Sequence, residues 1–177
     1  KQWRIWAGLA LVLVLAGAVR FHDLSRAAVR SDEINFLNYV AMDQSLAALW
    51  KSPPWFNQIP LADSVPILWA RLTGQAAGEA VIRQPFALLG WLTVAFCTAW
   101  MMRRRGPGAG LLLGVWMALL PYHVYHSREA YYYVLVMAFA SGMTLRGADF
   151  MVRLRAGEEL KARQYAEWAA WTLLACL

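Results

Sequence analysis

Charge is scarce in this chain of 177 residues: only 16% of its side chains are charged, against 60% hydrophobic ones, and the mean hydropathy is +0.39. A soluble domain is roughly 45–50% apolar and about 25% charged, so the shortage excludes most soluble classes. There is more apolar surface than one globular core hides. Disorder is excluded as well, because disordered chains are poor in aromatics and this one carries ten Trp, seven Tyr and seven Phe. Cysteine is nearly absent. Cys97 and Cys176 sit in apolar runs without metal-ligand spacing and suggest neither a disulfide nor a zinc site. No internal repeat or low-complexity segment occurs. The net charge of +6 leaves three partners open at this point: nucleic acid, an acidic membrane surface, or the orientation bias of a multi-pass membrane protein.

A bilayer core takes about 20 helical residues to cross, fewer where Trp, Arg or Lys reach the interface. Charge-free stretches of that order run over residues 5–19, 84–102, 106–127 and 130–145, and a fifth opens at 168–177. The first follows an aromatic and basic anchor of Lys1, Trp3, Arg4 and Trp6; the third is expected to stop being helical near Pro121. The pattern predicts an all-α, multi-pass transmembrane helical protein with about five spans, residues 1–177 forming one transmembrane domain. A secretory signal peptide is the competing reading of residues 1–19, since Ala16, Gly17 and Ala18 resemble a small-residue cleavage site. With no initiator Met and Leu177 inside an apolar run, the sequence reads as part of a longer chain.

Lys and Arg collect in alternate connections: Lys1 and Arg4, Arg103 to Arg105, and Arg146, Arg153, Arg155, Lys161 and Arg163. The positive-inside rule makes that side cytoplasmic, with residues 146–165 as a cytoplasmic loop and segments 20–83 and 122–129 outside. The expected location is a bacterial inner membrane with the N-terminus cytoplasmic. Divided this way, the whole excess of +6 lies inside and the outer segments sum to zero. Nucleic-acid binding needs basic residues interleaved with exposed aromatics on one surface, and here they are spread over separate turns.

Outer segment 20–83 is too long for a bare connection and is expected to hold interfacial helices. Ser31 offers a helix cap, Asp32 and Glu33 follow in the first turn, and Ile34, Leu37, Ala41, Leu46 and Leu49 supply an apolar stripe, which predicts one helix over 31–50. A break follows at Pro53, Pro54 and Pro60. A second short helix is expected over 66–72, ended by Thr73 and Gly74.

Two constellations outside carry chemistry. Asp32 and Glu33 are adjacent carboxylates at a helix start, where the dipole favours anions; such a pair binds a divalent cation or takes a proton from a hydroxyl. From the dipeptide alone, the plainer reading is ordinary first-turn acids of an amphipathic helix. The second is His126, Ser127, Arg128 and Glu129. Tyr131 and Tyr132 follow three and four positions after Arg128, so a helix puts them on its face. Arg suits phosphate, because its planar fork binds two oxygens and stays charged. An aromatic belt with a snorkelling Arg is the plainer alternative. Arg83 is a phosphate ligand or a helix anchor, and His22, His123 and His126 read as interfacial or capping groups. What favours chemistry is that Asp32/Glu33 and Arg128/Glu129 fall on one membrane side at the mouths of neighbouring spans, which suits a lipid-phosphate-linked substrate.

The order of these features, in "VRFHDLSRAAVRSDEINFLNYV", "VIRQPFALLGWLTVAF" and "YHSREAYYYVLVMAFA", resembles the N-terminal half of the GT-C membrane glycosyltransferases, over about residues 5–145. The nearest type is that of the protein O-mannosyltransferases, aminoarabinose transferases and dolichyl-phosphate-mannose mannosyltransferase-like proteins. Many relatives carry a His before the Pro pair that follows the first outer helix. Here Ser52 precedes Pro53 and Pro54, and Asn57, Gln58 and Ile59 precede Pro60.

The resemblance implies transfer of a sugar from a polyprenyl-phosphate carrier to a hydroxyl acceptor on the outer face, with inversion. It makes Asp32 the catalytic carboxylate and Glu33 its partner, which orients the acceptor or, in members that use one, helps hold a divalent metal with Asp32. Arg128 becomes the carrier-phosphate ligand, with Arg83 and Arg20 as further candidates, and Glu129, Tyr132 and Tyr133 complete a substrate-binding motif. The implied partners are the lipid-linked sugar donor and membrane lipids. The rival expectation is a non-catalytic membrane subunit that keeps the scaffold and packs against other subunits.

Overall fold

The computed structural model describes residues 2–26, 28–51, 60–159 and 161–176, and these are helical with no strand. Ser52, the Pro53–Pro54 pair, Asn57, Gln58 and Ile59 lie outside the described residues. The chain packs as two units, 1–134 and 135–177.

Among the described residues, three helices are long and apolar enough to cross a membrane: α1 (Gln2–Phe21), α5 (Glu79–Arg105) and α8 (Tyr133–Arg155). A fourth candidate is a bent pair, α6 (Pro107–Leu119) and α7 (Pro121–Ser127), whose axes differ by 61°. The fifth expected span corresponds to α9 (Ala162–Cys176), which has 15 residues. Apolar side chains on α1, among them Trp3, Trp6, Leu11 and Val14, stay exposed, which suits hydrocarbon better than water.

In the first unit α5 is the central element, packed on α1, α6, α7 and α4 (Pro60–Thr73). Its buried face runs through Ile82, Phe86, Ala87 and Val94. Small residues set how closely its neighbours approach: a Cβ on Gly114 of α6 would collide with Thr98 and Val12, and one on Gly90 of α5 with Ser127. This is how helices pack where lipid removes the hydrophobic drive. The turn between α5 and α6 is made by Gly106 at φ +93°, with Pro107 opening α6, the arrangement that glycine past a helix end and proline at a helix start provide.

The third stretch does not stop being helical near Pro121: the helix breaks at Leu120 and resumes as α7, and the break has a specific partner. Proline has no N–H to return to Met117, and Leu120 is extended (φ −59°, ψ 113°). The last carbonyls of α6 therefore lack helical donors. Arg20 of α1 supplies them: Nη2 donates to Met117 O at 3.1 Å and Nη1 to Ala118 O at 3.2 Å, and to Ala16 O at 3.0 Å. Nη2 also lies 2.8 Å from His123 Nδ1, which as an acceptor must leave the ring proton on Nε2.

The segment before α5 differs from expectation in two places. A single helix over 31–50 is replaced by α2 (Ser31–Ala41) and α3 (Leu46–Lys51), because Asp43 takes a left-handed conformation (φ 46°) and Gln44 N–H closes back onto Tyr39 O at 2.9 Å. Arg71 holds that turn through the Asp43 carboxylate at 2.7 Å and the Gln44 carbonyl at 3.2 Å. Arg30, not Ser31, occupies the N-cap of α2. The short helix over 66–72 is longer: α4 begins at Pro60 and keeps Pro66 inside, ending before Gly74 at φ +65°. Burial of Ala62, Ile67 and Ala70 outweighs the one helical bond that Pro66 forfeits.

The second unit is a helical hairpin. Trp171 packs over Gly142, the Trp168 indole lies against Gly147, and Phe150 meets Tyr165 and Trp168, a register in which α8 and α9 run antiparallel. Helix α8 continues past Arg146 to Arg155, so 146–155 is helix rather than loop. Gly157 (φ +71°) ends the turn that follows it, and the Arg153–Glu158 pair at 3.5 Å holds that turn.

Candidate functional site

Glu33 is the residue around which the site is built. Its side chain is 1% exposed and lies on the face of α2 that meets α5, whereas Asp32, about 100° round the helix, is exposed. Arg83, in the second turn of α5 and 3% exposed, grips the carboxylate at two points: Nε to Oε1 at 2.9 Å and Nη2 to Oε2 at 2.6 Å. Two backbone N–H groups complete the set, Ala130 to Oε1 at 2.8 Å and Arg30 to Oε2 at 3.1 Å. Burial pushes the Glu33 carboxyl up, but these bonds outweigh it and hold the group below the usual carboxylate range. Arg83 also donates to the carbonyls of Leu24 at 2.7 Å and Ala28 at 3.2 Å. One ion pair thus ties α2, α5, the α1–α2 connection and the segment before α8 together.

That segment is where the helix-face expectation for Arg128 fails. Residues 128–132 are not helical, because the Ala130 N–H is given to Glu33 instead of a helical bond. Tyr131 and Tyr132 therefore do not share a helix face with Arg128. They cluster instead with Tyr133, rings tilted to one another with centroids 4.4 to 4.9 Å apart, and the Tyr133 ring lies 4.6 Å from that of His126. Burial pushes the Tyr131 hydroxyl up, and the nearby Asp32 carboxylate adds to it.

Beside Glu33 lies a cavity of about 240 Å³, lined by Leu24, Ala28, Arg30, Glu33, Arg83, Tyr125, Arg128 and Glu129. Arg128 reaches it from the end of α7 and donates to the backbone carbonyls of Val19 at 3.0 Å and Asp23 at 3.3 Å. Neither acceptor carries a charge. Arg30 pairs with Glu129 at 2.6 Å and lies 5.0 Å over the Tyr125 ring. His126 Nδ1 is 3.3 Å from the other Glu129 oxygen.

The expected site residues therefore separate into groups. Glu33, Arg83, Arg128 and Glu129 come together at the cavity. Asp32, Tyr132 and Tyr133 are not among its lining residues. Arg20 is fully buried among the α6 carbonyls and His123, and Arg83 is spent on Glu33 and two carbonyls, so neither presents an uncommitted fork to a phosphate. No group of three or more His, Cys, Asp or Glu suited to a metal occurs among the described residues, and the four bonds to Glu33 leave Asp32 without its neighbour as a co-ligand.

Two residues carry little signal in the sequence. Arg30, which precedes the acidic pair, lines the cavity. Asp63, in the first turn of α4, is 1% exposed with Oδ2 unpartnered, and burial pushes its carboxyl up to about 6. Its signal in the sequence is an acid at i+1 from Ala62 and i−4 from Ile67, inside an otherwise apolar face. No protein-family model, curated protein or solved structure matches this chain.

Proposed function

We propose that the chain is the donor-binding part of a multi-pass membrane glycosyltransferase that takes a sugar from a polyprenyl-phosphate carrier. The observation that carries this reading is the charge balance of the cavity. Among the described residues lining it, Arg83 is neutralised by Glu33 and Arg30 by Glu129, which leaves Arg128, held there by neutral carbonyls, as one unbalanced cation. A sugar polyprenyl phosphodiester carries one negative charge. At the end of a bent apolar helix, Arg128 meets the phosphate while the isoprenoid tail stays in lipid.

In this reading the acceptor hydroxyl attacks the anomeric carbon from the face opposite the phosphate, the bond from carbon to phosphate oxygen breaks, and polyprenyl phosphate leaves with the electron pair. Arg128 stabilises the charge that develops on the leaving phosphate. Asp32, exposed beside the Glu33 anchor, takes the hydroxyl proton. Glu33 and Arg83 act as positioning residues that hold the start of α2. The reading includes the finer topology: α2 to α4 lying at the outer interface of a bacterial inner membrane, the N-terminus cytoplasmic, α9 opening a fifth span, and any divalent metal held through Asp32.

A second reading is a non-catalytic membrane subunit on the same scaffold. What favours it is that Asp32 is not among the residues lining the cavity that Arg128 enters, together with the exposed apolar face of α1. Native mass spectrometry of the full-length protein with a polyprenyl-phosphate mannose separates the two. The donor reading predicts one bound lipid that Arg128→Gln loses. Equal binding by both proteins contradicts it, and co-purification with other subunits in fixed stoichiometry then supports the second.

A further inference from the structure

We propose that Arg30 is the exchangeable anion ligand of the cavity, and that Glu129 holds it in the resting state by placing a carboxylate where a donor phosphate oxygen would sit. This rests on the donor-binding reading above and goes further, because it assigns Arg30 a ligand role and Glu129 the role of an internal competitor.

The three cavity arginines differ in how firmly they are committed. Arg83 is buried in a two-point pair and bonded to two carbonyls, and Arg128 is tied to two carbonyls in its own surroundings. Arg30 has a side chain that is 59% exposed and, among the described residues, one carboxylate partner, Glu129 Oε1, at 2.6 Å. A pair exposed on its arginine side lets the guanidinium exchange one anion for another at small cost. Its backbone does not move with it, since the Arg30 N–H is fixed to Glu33. Tyr125 keeps the guanidinium over the cavity whichever anion it faces.

Glu129 is equally prepared for release. Its side chain is 13% exposed, it interacts with the Tyr125 hydroxyl, and its second oxygen lies 3.3 Å from His126. Those contacts remain when Arg30 turns to a phosphate. A carboxylate and a phosphate offer the same fork of two oxygens to a guanidinium, so one can replace the other without rebuilding the site. The competition has a definite sign: removing the Glu129 charge strengthens anion binding, whereas a Glu129 that contacted the sugar would weaken binding when neutralised.

The test is binding of farnesyl phosphate, a soluble isoprenyl monophosphate, to the full-length protein in detergent, with farnesol as the uncharged control. The expected result is that Glu129→Gln binds farnesyl phosphate about tenfold more tightly than wild type and Arg30→Gln about tenfold more weakly, the size of one charge-assisted contact. The double variant should match Arg30→Gln, and farnesol binding should be the same in all four proteins. Thermal unfolding of each variant, expected near wild type, verifies the fold. Phosphate-dependent binding in wild type that Glu129→Gln leaves unchanged or weakens overturns the exchange alone. Equal binding of farnesol and farnesyl phosphate by all four proteins overturns the donor-binding reading, and the exchange with it.

Discussion

Glu33 and Arg83, fifty positions apart in sequence, meet in a buried pair with contacts of 2.9 and 2.6 Å and with both side chains almost wholly withdrawn from solvent. Breaking such a pair from one side leaves an uncompensated buried charge, at about 3–5 kcal/mol. Glu33→Gln and Arg83→Met are each expected to destabilise the protein by that order. Together they should cost clearly less than the sum, since neither then strands the other. Thermal unfolding in detergent checks both singles and the double. Additive losses would show that the pair does not act as a unit.

Arg20 should matter only as long as α6 is broken at Pro121. Arg20→Met strands the carbonyls of Met117 and Ala118, each unpaired buried acceptor costing about 1–3 kcal/mol. Pro121→Ala restores an N–H to the position that Met117 O would use in a continuous helix. The loss caused by Arg20→Met is therefore expected to be smaller in the Pro121→Ala background. A loss of the same size in both backgrounds would contradict the capping role.

Asp63 predicts a pH dependence. Its carboxyl titrates near 6 in the folded chain against an ordinary value of 3.8, so between those values the folded state holds a proton that the unfolded state has released. Stability then falls as pH rises through that window, and the penalty, on the order of 2–3 kcal/mol, is complete above pH 6. Asp63→Asn should be more stable than wild type at pH 7.5 and equal to it at pH 4. Chemical unfolding at the two pH values measures the difference, and an unchanged gap between them would rule out Asp63 as its source.

The long apolar runs made the candidate spanning helices legible, because their signal is local: 84–102 sits inside α5 and 5–19 inside α1. Pro121 marked a break, but not that the helix resumes beyond it as α7. Pairing was not legible. The sequence contains Arg20, Glu33 and Arg83 as charges on one segment, but nothing in it says that Arg20 caps carbonyls 97 and 98 positions away or that Arg83 is consumed by Glu33. Those are consequences of packing. Local conflicts decided the other departures: Asp43 adopts a left-handed turn that an apolar stripe over 31–50 does not announce, and the Ala130 N–H prefers a buried carboxylate to a helical carbonyl. The segment 126–129 stands out in the sequence by its residue types, and Arg128 and Glu129 line the cavity. Arg30 and Asp63 were passed over because a count of charges does not reveal which of them end up beside a cavity or inside an apolar face.

The proposed roles of Arg128 and Asp32 in one sugar-transfer reaction are tested most directly by single-turnover transfer from a polyprenyl-phosphate mannose to a hydroxyl acceptor by the full-length protein in lipid vesicles. The account predicts transfer by wild type and a loss of about a hundredfold or more with either Asp32→Asn or Arg128→Gln, the scale of removing a general base or a transition-state charge partner. Undiminished transfer by either variant, or none by wild type, would contradict it.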